Sequence, residues 1–92
     1  MGTAIATLKI MPDSPEADLK RIEDEAMRLI IAFADDRQKK VEVIPIAFGL
    51  KSINITFLID EKKGGTEPLE AKISDIPEVQ SVELVDIRRI IG

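Results

Sequence analysis

The sequence predicts an α+β, ferredoxin-like sandwich: a four-stranded antiparallel sheet with two helices on one face, connected β-α-β-β-α-β. Three observations lead there. Four segments either alternate apolar and polar residues with the two-residue period of a half-buried strand or run largely apolar. Two segments repeat apolar residues every three or four positions, behind starts that carry Pro and a hydroxyl residue. The chain has 92 residues, enough for one domain (1–92) and too few for two. Two right-handed βα crossovers of this length close into a split βαβ arrangement.

The first strand covers residues 3–11. Ala4, Ala6, Leu8 and Ile10 share one face, Thr7 and Lys9 the other, and Pro12 ends it. Asp13-Ser14-Pro15-Glu16 reads as a helix start, with Ser14 as cap, Pro15 in the first turn and Glu16 near the positive end of the helix dipole. Leu19, Ile22, Ala26, Leu29 or Ile30, and Phe33 then form one apolar stripe, with Lys20, Arg21, Glu23, Asp24 and Glu25 mostly on the wet side. Residues 35–40 are a polar connection.

A second strand covers residues 41–48. Pro45 cannot donate to a ladder, so this strand belongs at an edge or carries a bulge. Gly49 marks a tight turn into a third strand, residues 51–60, whose apolar content suits a central position. After a polar loop at 61–65, Thr66 is placed to cap a short second helix with Pro68 in its first turn and Leu69, Ile73 and Ile76 inside; Pro77 closes it. The last strand covers residues 79–89, and the adjacent apolar pair Leu84-Val85 breaks its alternation. The uncovered sheet face is only partly polar, because Ile5 and Leu58 belong to it.

Composition narrows the chemistry. There is no Cys, His, Trp or Tyr. The chain therefore offers no disulfide, no thiol nucleophile and no imidazole base, and no residues of the usual zinc or copper sets. No cofactor and no metal site is expected. The formal net charge is −4 and the pI about 4.8, which argues against direct binding of a nucleic-acid backbone. No apolar run approaches the ~20 residues that span a bilayer. Met1 leads straight into a strand pattern, so no signal peptide is expected, and Ala6 stands where a Gly2 myristoylation signal calls for Ser or Thr. A cytoplasmic protein is the default expectation.

Several motifs have ordinary structural readings. Gly64-Gly65-Thr66 opens a helix and could cradle an anion, but no P-loop lysine follows, and a strand-to-helix turn accounts for it. The carboxylates Asp13, Glu16, Asp18, Glu23, Asp24, Glu25, Asp35 and Asp36 fall on a wet helix face and in loops, where water keeps them ordinary. Lys39-Lys40 and Lys62-Lys63 have acids close by and read as solvated loops. Base stacking on the sheet would need exposed aromatics; of the three Phe, only Phe57 is mid-strand, and it points inward. Two segments stand out. Phe48 sits beside the glycine of a turn, where an aromatic either covers the core or makes a contact. Arg88-Arg89 ends the last strand, and adjacent arginines there point to opposite faces.

Taken in order, residues 6–12 (Ala-Thr-Leu-Lys-Ile-Met-Pro), Ser14-Pro15-Glu16, Pro45-Ile46-Ala47-Phe48-Gly49-Leu50, Gly64-Gly65-Thr66-Glu67 and Asp86-Ile87-Arg88-Arg89 resemble the archaeal translation elongation factor 1-beta family. The Phe48 segment is the most specific piece, and the resemblance extends over essentially the whole chain. It implies guanine-nucleotide exchange on the GTPase elongation factor 1-alpha, with no covalent chemistry and no direct nucleic-acid or membrane contact. In eukaryotic relatives a Phe in the matching turn contacts the nucleotide domain of the GTPase; here it falls on Phe48, in the turn of Gly49. A Lys near the C-terminus reaches toward the Mg²⁺ and phosphates; here the position holds Arg89, a departure that keeps the charge and changes its shape and hydration. Lys51 and Arg88 are implied as secondary contacts. Two other functions of this fold stand beside that one: a small-molecule regulatory module with ligand at a sheet edge or dimer interface, and an RNA-binding module, which the acidic pI disfavours.

Overall fold

The computed structural model describes residues 2–34, 39–60, 62 and 64–90. Its elements are β1 (Thr3–Pro12), α1 (Leu19–Ala34), β2 (Lys39–Pro45), β3 (Lys51–Asp60), α2 (Glu67–Ser74) and β4 (Val79–Ile90). The expected order is found, and the four strands form one antiparallel sheet in the order β2-β3-β1-β4. β2 lies at an edge, as Pro45 requires, and β3 is central. Most of the expected polar connections, residues 35–38, 61 and 63, lie outside the described residues.

Strand alternation builds the core. Ala4, Ala6, Leu8 and Ile10 of β1 pair with Ile59, Phe57, Ile55 and Ile53 of β3, and all eight are buried. Helix α1 lays Ile22, Ala26, Ile30 and Ala34 over them, and α2 adds Leu69 and Ile73. Ile30, not Leu29, is the fully buried member of the α1 stripe; Leu19, Leu29 and Phe33 pack partly buried beside it. Each fully buried large side chain of this kind contributes about 1.5–3 kcal/mol of transfer free energy. On the other sheet face Ile5, Thr7, Thr56 and Leu58 are half-buried, and the Thr7 and Thr56 hydroxyls hydrogen-bond at 3.0 Å.

Helix α1 starts four residues later than the sequence suggests. Ser14 does not cap it: residues 14–17 make a separate turn, with Ala17 N–H donating to Ser14 O at 3.2 Å. The cap is Asp18, whose Oδ1 accepts from Arg21 N–H at 3.1 Å while its carbonyl accepts from Ile22 N–H. The chain spends residues 13–17 crossing from the sheet and burying Ala17, which delays the first helical turn. Asp18→Ala should therefore cost about 1 kcal/mol of unfolding free energy in urea titration. Ser14→Ala should change it by less than about 0.5 kcal/mol; the reverse order would restore the sequence-based cap. Thr66 differs too. Its backbone opens α2, but its hydroxyl makes no cap and donates to Glu70 Oε2 at 2.6 Å.

The Leu84-Val85 doublet has a structural meaning. Leu8 pairs with Leu84 and Thr7 with Asp86, so Val85 is an extra residue, a β-bulge. The bulge keeps Leu84 and Ile87 on the same, helix-covered face. It also sets the faces beyond it: Arg88 pairs with Ile5 on the open face, and Arg89 with the buried Ala4 on the helix side.

Candidate functional site

The hairpin between β2 and β3 ends in a tight turn. Leu50 N–H donates to Ala47 O at 2.9 Å, and Phe48 (φ 56) and Gly49 (φ 79) between them both take left-handed backbone. Positive φ at both central positions is the type I′ arrangement, which favours Asn, Asp or Gly. Gly49 meets the demand. It is also close to Pro15, since a Cβ on Gly49 would lie 3.4 Å from the Pro15 Cβ. Phe48 meets it at a cost of about 1–2 kcal/mol, the penalty for a bulky L-residue in that region.

Nor does Phe48 recover that cost by burial. It is 95% exposed. Of the two readings open for an aromatic at this turn, covering the core is excluded. Val43, Ile44 and Ile46 before it are 41–46% exposed, and Pro45 and Ala47 are exposed as well. Residues 43–49 thus form an uncharged apolar arm, every residue of which is exposed. Lys51, exposed at the base of the arm, opens β3 opposite Pro45. Val43, Ile44 and Ile46 are contact candidates that strand patterning did not single out. The signal was present: an edge strand should be polar on its solvent side, and this run has no polar residue from 43 to 50.

Arg88 and Arg89 are elsewhere. The sheet is antiparallel, so the turn at Phe48 lies at the end where β1 finishes and β4 begins. Arg89 pairs with Ala4 at the other end. Eight residue steps along β1, from Ala4 at the level of Arg89 to Pro12 at the level of Lys51, put the two regions about 26 Å apart at a rise of ~3.3 Å per residue. The structure thus gathers Phe48, Gly49 and Lys51 and separates them from the arginines. The two arginines are split again by face: Arg88 pairs its Nε with Asp86 Oδ2 at 3.1 Å on the open face, whereas Arg89 lines a depression of about 660 Å³ with Ala4, Ile59, Gly64, Gly65, Glu67 and Ile87. A Cβ on Gly65 would meet only the tip of the exposed Glu67 side chain, which can swing aside.

At the Phe48 end, the turn Ile76-Pro77-Glu78-Val79 joins α2 to β4. Val79 N–H donates to Ile76 O at 3.1 Å, and Glu78 has φ 74. Arg21 of α1 donates to Glu78 Oε1 at 2.7 Å, to Pro77 O at 2.9 Å and to Glu25 Oε2 at 2.6 Å. Glu78, and after it Glu25, raises the guanidinium pKa above its ordinary value, so Arg21 stays charged wherever the protein folds. The carboxylates of α1 serve the helix: Asp18 caps it, and Glu23 and Asp24 face Lys20.

The chain resembles known proteins over nearly its whole length. A family profile described as "EF-1 guanine nucleotide exchange domain" matches residues 5–90. The chain is 41% identical over 90 residues to "Elongation factor 1-beta" of Methanosphaera stadtmanae, covering 98% of this chain and 99% of the relative. It is 42% identical to the protein of that name from Methanobrevibacter smithii, with the same coverage. It is 40% identical to that of Methanosarcina barkeri, over 98% of this chain and 100% of the relative.

Proposed function

The chain belongs to the EF-1 guanine nucleotide exchange domain family, and from that membership we propose that it promotes exchange of GDP for GTP on elongation factor 1-alpha, as one domain and without covalent chemistry. The observation that carries the reading is Phe48: fully offered to solvent, on strained backbone, at the tip of an apolar arm. Folding gains nothing from that arrangement, and a partner's pocket would. Interface affinity is concentrated in a few side chains that fill well-packed, desolvated pockets, a task an exposed Phe can perform.

The two ends of the sheet then have separate tasks. The Phe48 arm, with Gly49 shaping the turn and Lys51 at its base, holds the GTPase. Arg89, about 26 Å away on the strand scale, presents a cation to the Mg²⁺–phosphate region that retains the nucleotide, with Arg88 on the neighbouring face as a secondary contact. A single small patch on the partner cannot meet both ends, so the GTPase is held at one place and perturbed at another by a continuous sheet.

Each 1.4 kcal/mol by which Arg89 raises the energy of bound nucleotide relative to the release barrier speeds release about tenfold. At equilibrium the coupling is reciprocal: the factor by which this protein lowers the GTPase's affinity for nucleotide is the factor by which nucleotide lowers its affinity for this protein. The direct test loads elongation factor 1-alpha with a fluorescent GDP and chases with excess unlabelled nucleotide. Adding this protein should accelerate release in a saturable way. Unchanged release at saturating protein would remove the reading and leave only the fold.

A further inference from the structure

We propose that Glu78, clasped by Arg21, is a positioning residue that aims the Phe48 arm through the loop at residues 13–18; the functional part of this rests on the exchange reading above. Among the described residues, two non-glycine residues have positive φ, Phe48 and Glu78, and both lie at the same end of the sheet. The turn at 76–79 has Pro at its second position and positive φ at its third, a type II arrangement in which the third residue is ordinarily Gly. Glutamate there is locally the wrong residue, held in place by its surroundings.

Those surroundings lead to the arm. The Glu78 carboxylate accepts from Arg21 and, at 3.4 Å, from Asp18 N–H; the Glu78 carbonyl accepts from Asp13 N–H at 2.8 Å. One residue therefore fixes both ends of the 13–18 loop. The middle of that loop is Pro15, whose ring lies beside Gly49: a Cβ added there would sit 3.4 Å from the Pro15 Cβ. Gly49 shares the left-handed turn with Phe48, so the angle at which Phe48 leaves the sheet depends on where Pro15 stands. A type II turn built on Gly would satisfy the backbone and keep the carbonyl bond to Asp13, but leave the Asp18 end and Arg21 without the carboxylate.

Glu78→Gly tests this, because it relieves the backbone while deleting the clasp. Glu78→Asn serves as a second variant: Asn tolerates left-handed backbone but is too short to reach Arg21. Glu78→Gln, which retains an acceptor oxygen, should behave as the wild type. In the first two variants the thermal midpoint should hold or rise. Amide hydrogen exchange at Leu50, whose N–H closes the Phe48 turn, should quicken about five- to tenfold, while the core amide of Ile55 is unchanged. The protein concentration giving half-maximal GDP release should rise about two- to tenfold, with the maximal rate retained. In a Phe48→Ala background neither variant should shift that concentration further.

Unchanged Leu50 exchange would overturn the proposal even if the chain proved not to be an exchange factor. Faster Leu50 exchange with an unchanged half-maximal concentration, or with an equal shift in the Phe48→Ala background, would overturn it while leaving the exchange function standing.

Discussion

Replacing Phe48 with alanine is expected to raise the protein concentration needed for half-maximal GDP release by roughly 30-fold or more, the loss of about 2 kcal/mol typical of a truncated aromatic anchor. The maximal rate at saturation should change little, because in the proposed arrangement the side chain grips and does not touch the nucleotide site. Stability should not fall, since a residue 95% exposed contributes no core contacts. Phe48→Asn sharpens the point. Asn tolerates left-handed backbone, so this variant should be more stable than the wild type by about 0.5–1 kcal/mol, and as poor at engaging the GTPase as the alanine variant. A gain in stability with a loss of function is hard to explain for a residue that serves the fold.

Arg89→Ala should do the opposite in kinetics. Half-maximal concentration should stay within about threefold, while the maximal release rate falls by about 100-fold, or roughly 2.7 kcal/mol of lost destabilisation. Arg89→Lys should retain most of the rate, because the proposed task needs a positive charge and not the bidentate fork of a guanidinium. Arg88→Ala should have the smaller effect, as Arg88 lies on the other face of the strand. If Arg89→Ala raised the half-maximal concentration and left the maximal rate alone, the arginine would be another grip.

Much of the fold was legible because β1 and β3 alternate cleanly and α1 keeps a consistent stripe. Pro45 placed β2 at the edge, since a residue without N–H has nowhere else to go in a sheet. What failed were local competitions. Ser14 and Asp18 can both cap, and sequence spacing alone does not reveal that Ala17 must be buried before the helix begins. Thr66 had its hydroxyl diverted by Glu70, four residues on. Leu84-Val85 looked like a fault in the pattern and is a bulge, and that bulge decides which arginine shares a face with Gly64-Gly65.

The candidate site was legible residue by residue and illegible in space. The Phe48 turn and the Arg88-Arg89 pair stand out in the sequence and the resemblance implies their roles, but their residue pattern alone does not place them at opposite ends of the sheet. The exposed partners Val43, Ile44 and Ile46 look like ordinary strand residues until the edge is known to be bare. Glu78 is visible only as a Glu after Pro in a turn, and its conflict with the local backbone appears once φ is known.

The central claim is that grip and release are carried by opposite ends of one sheet. Its most direct test is GDP release from elongation factor 1-alpha measured against protein concentration for the wild type, Phe48→Ala and Arg89→Ala. The account predicts two orthogonal defects: a shifted half-maximal concentration for Phe48→Ala, and a lowered plateau for Arg89→Ala. Defects of the same kind in both variants would contradict it.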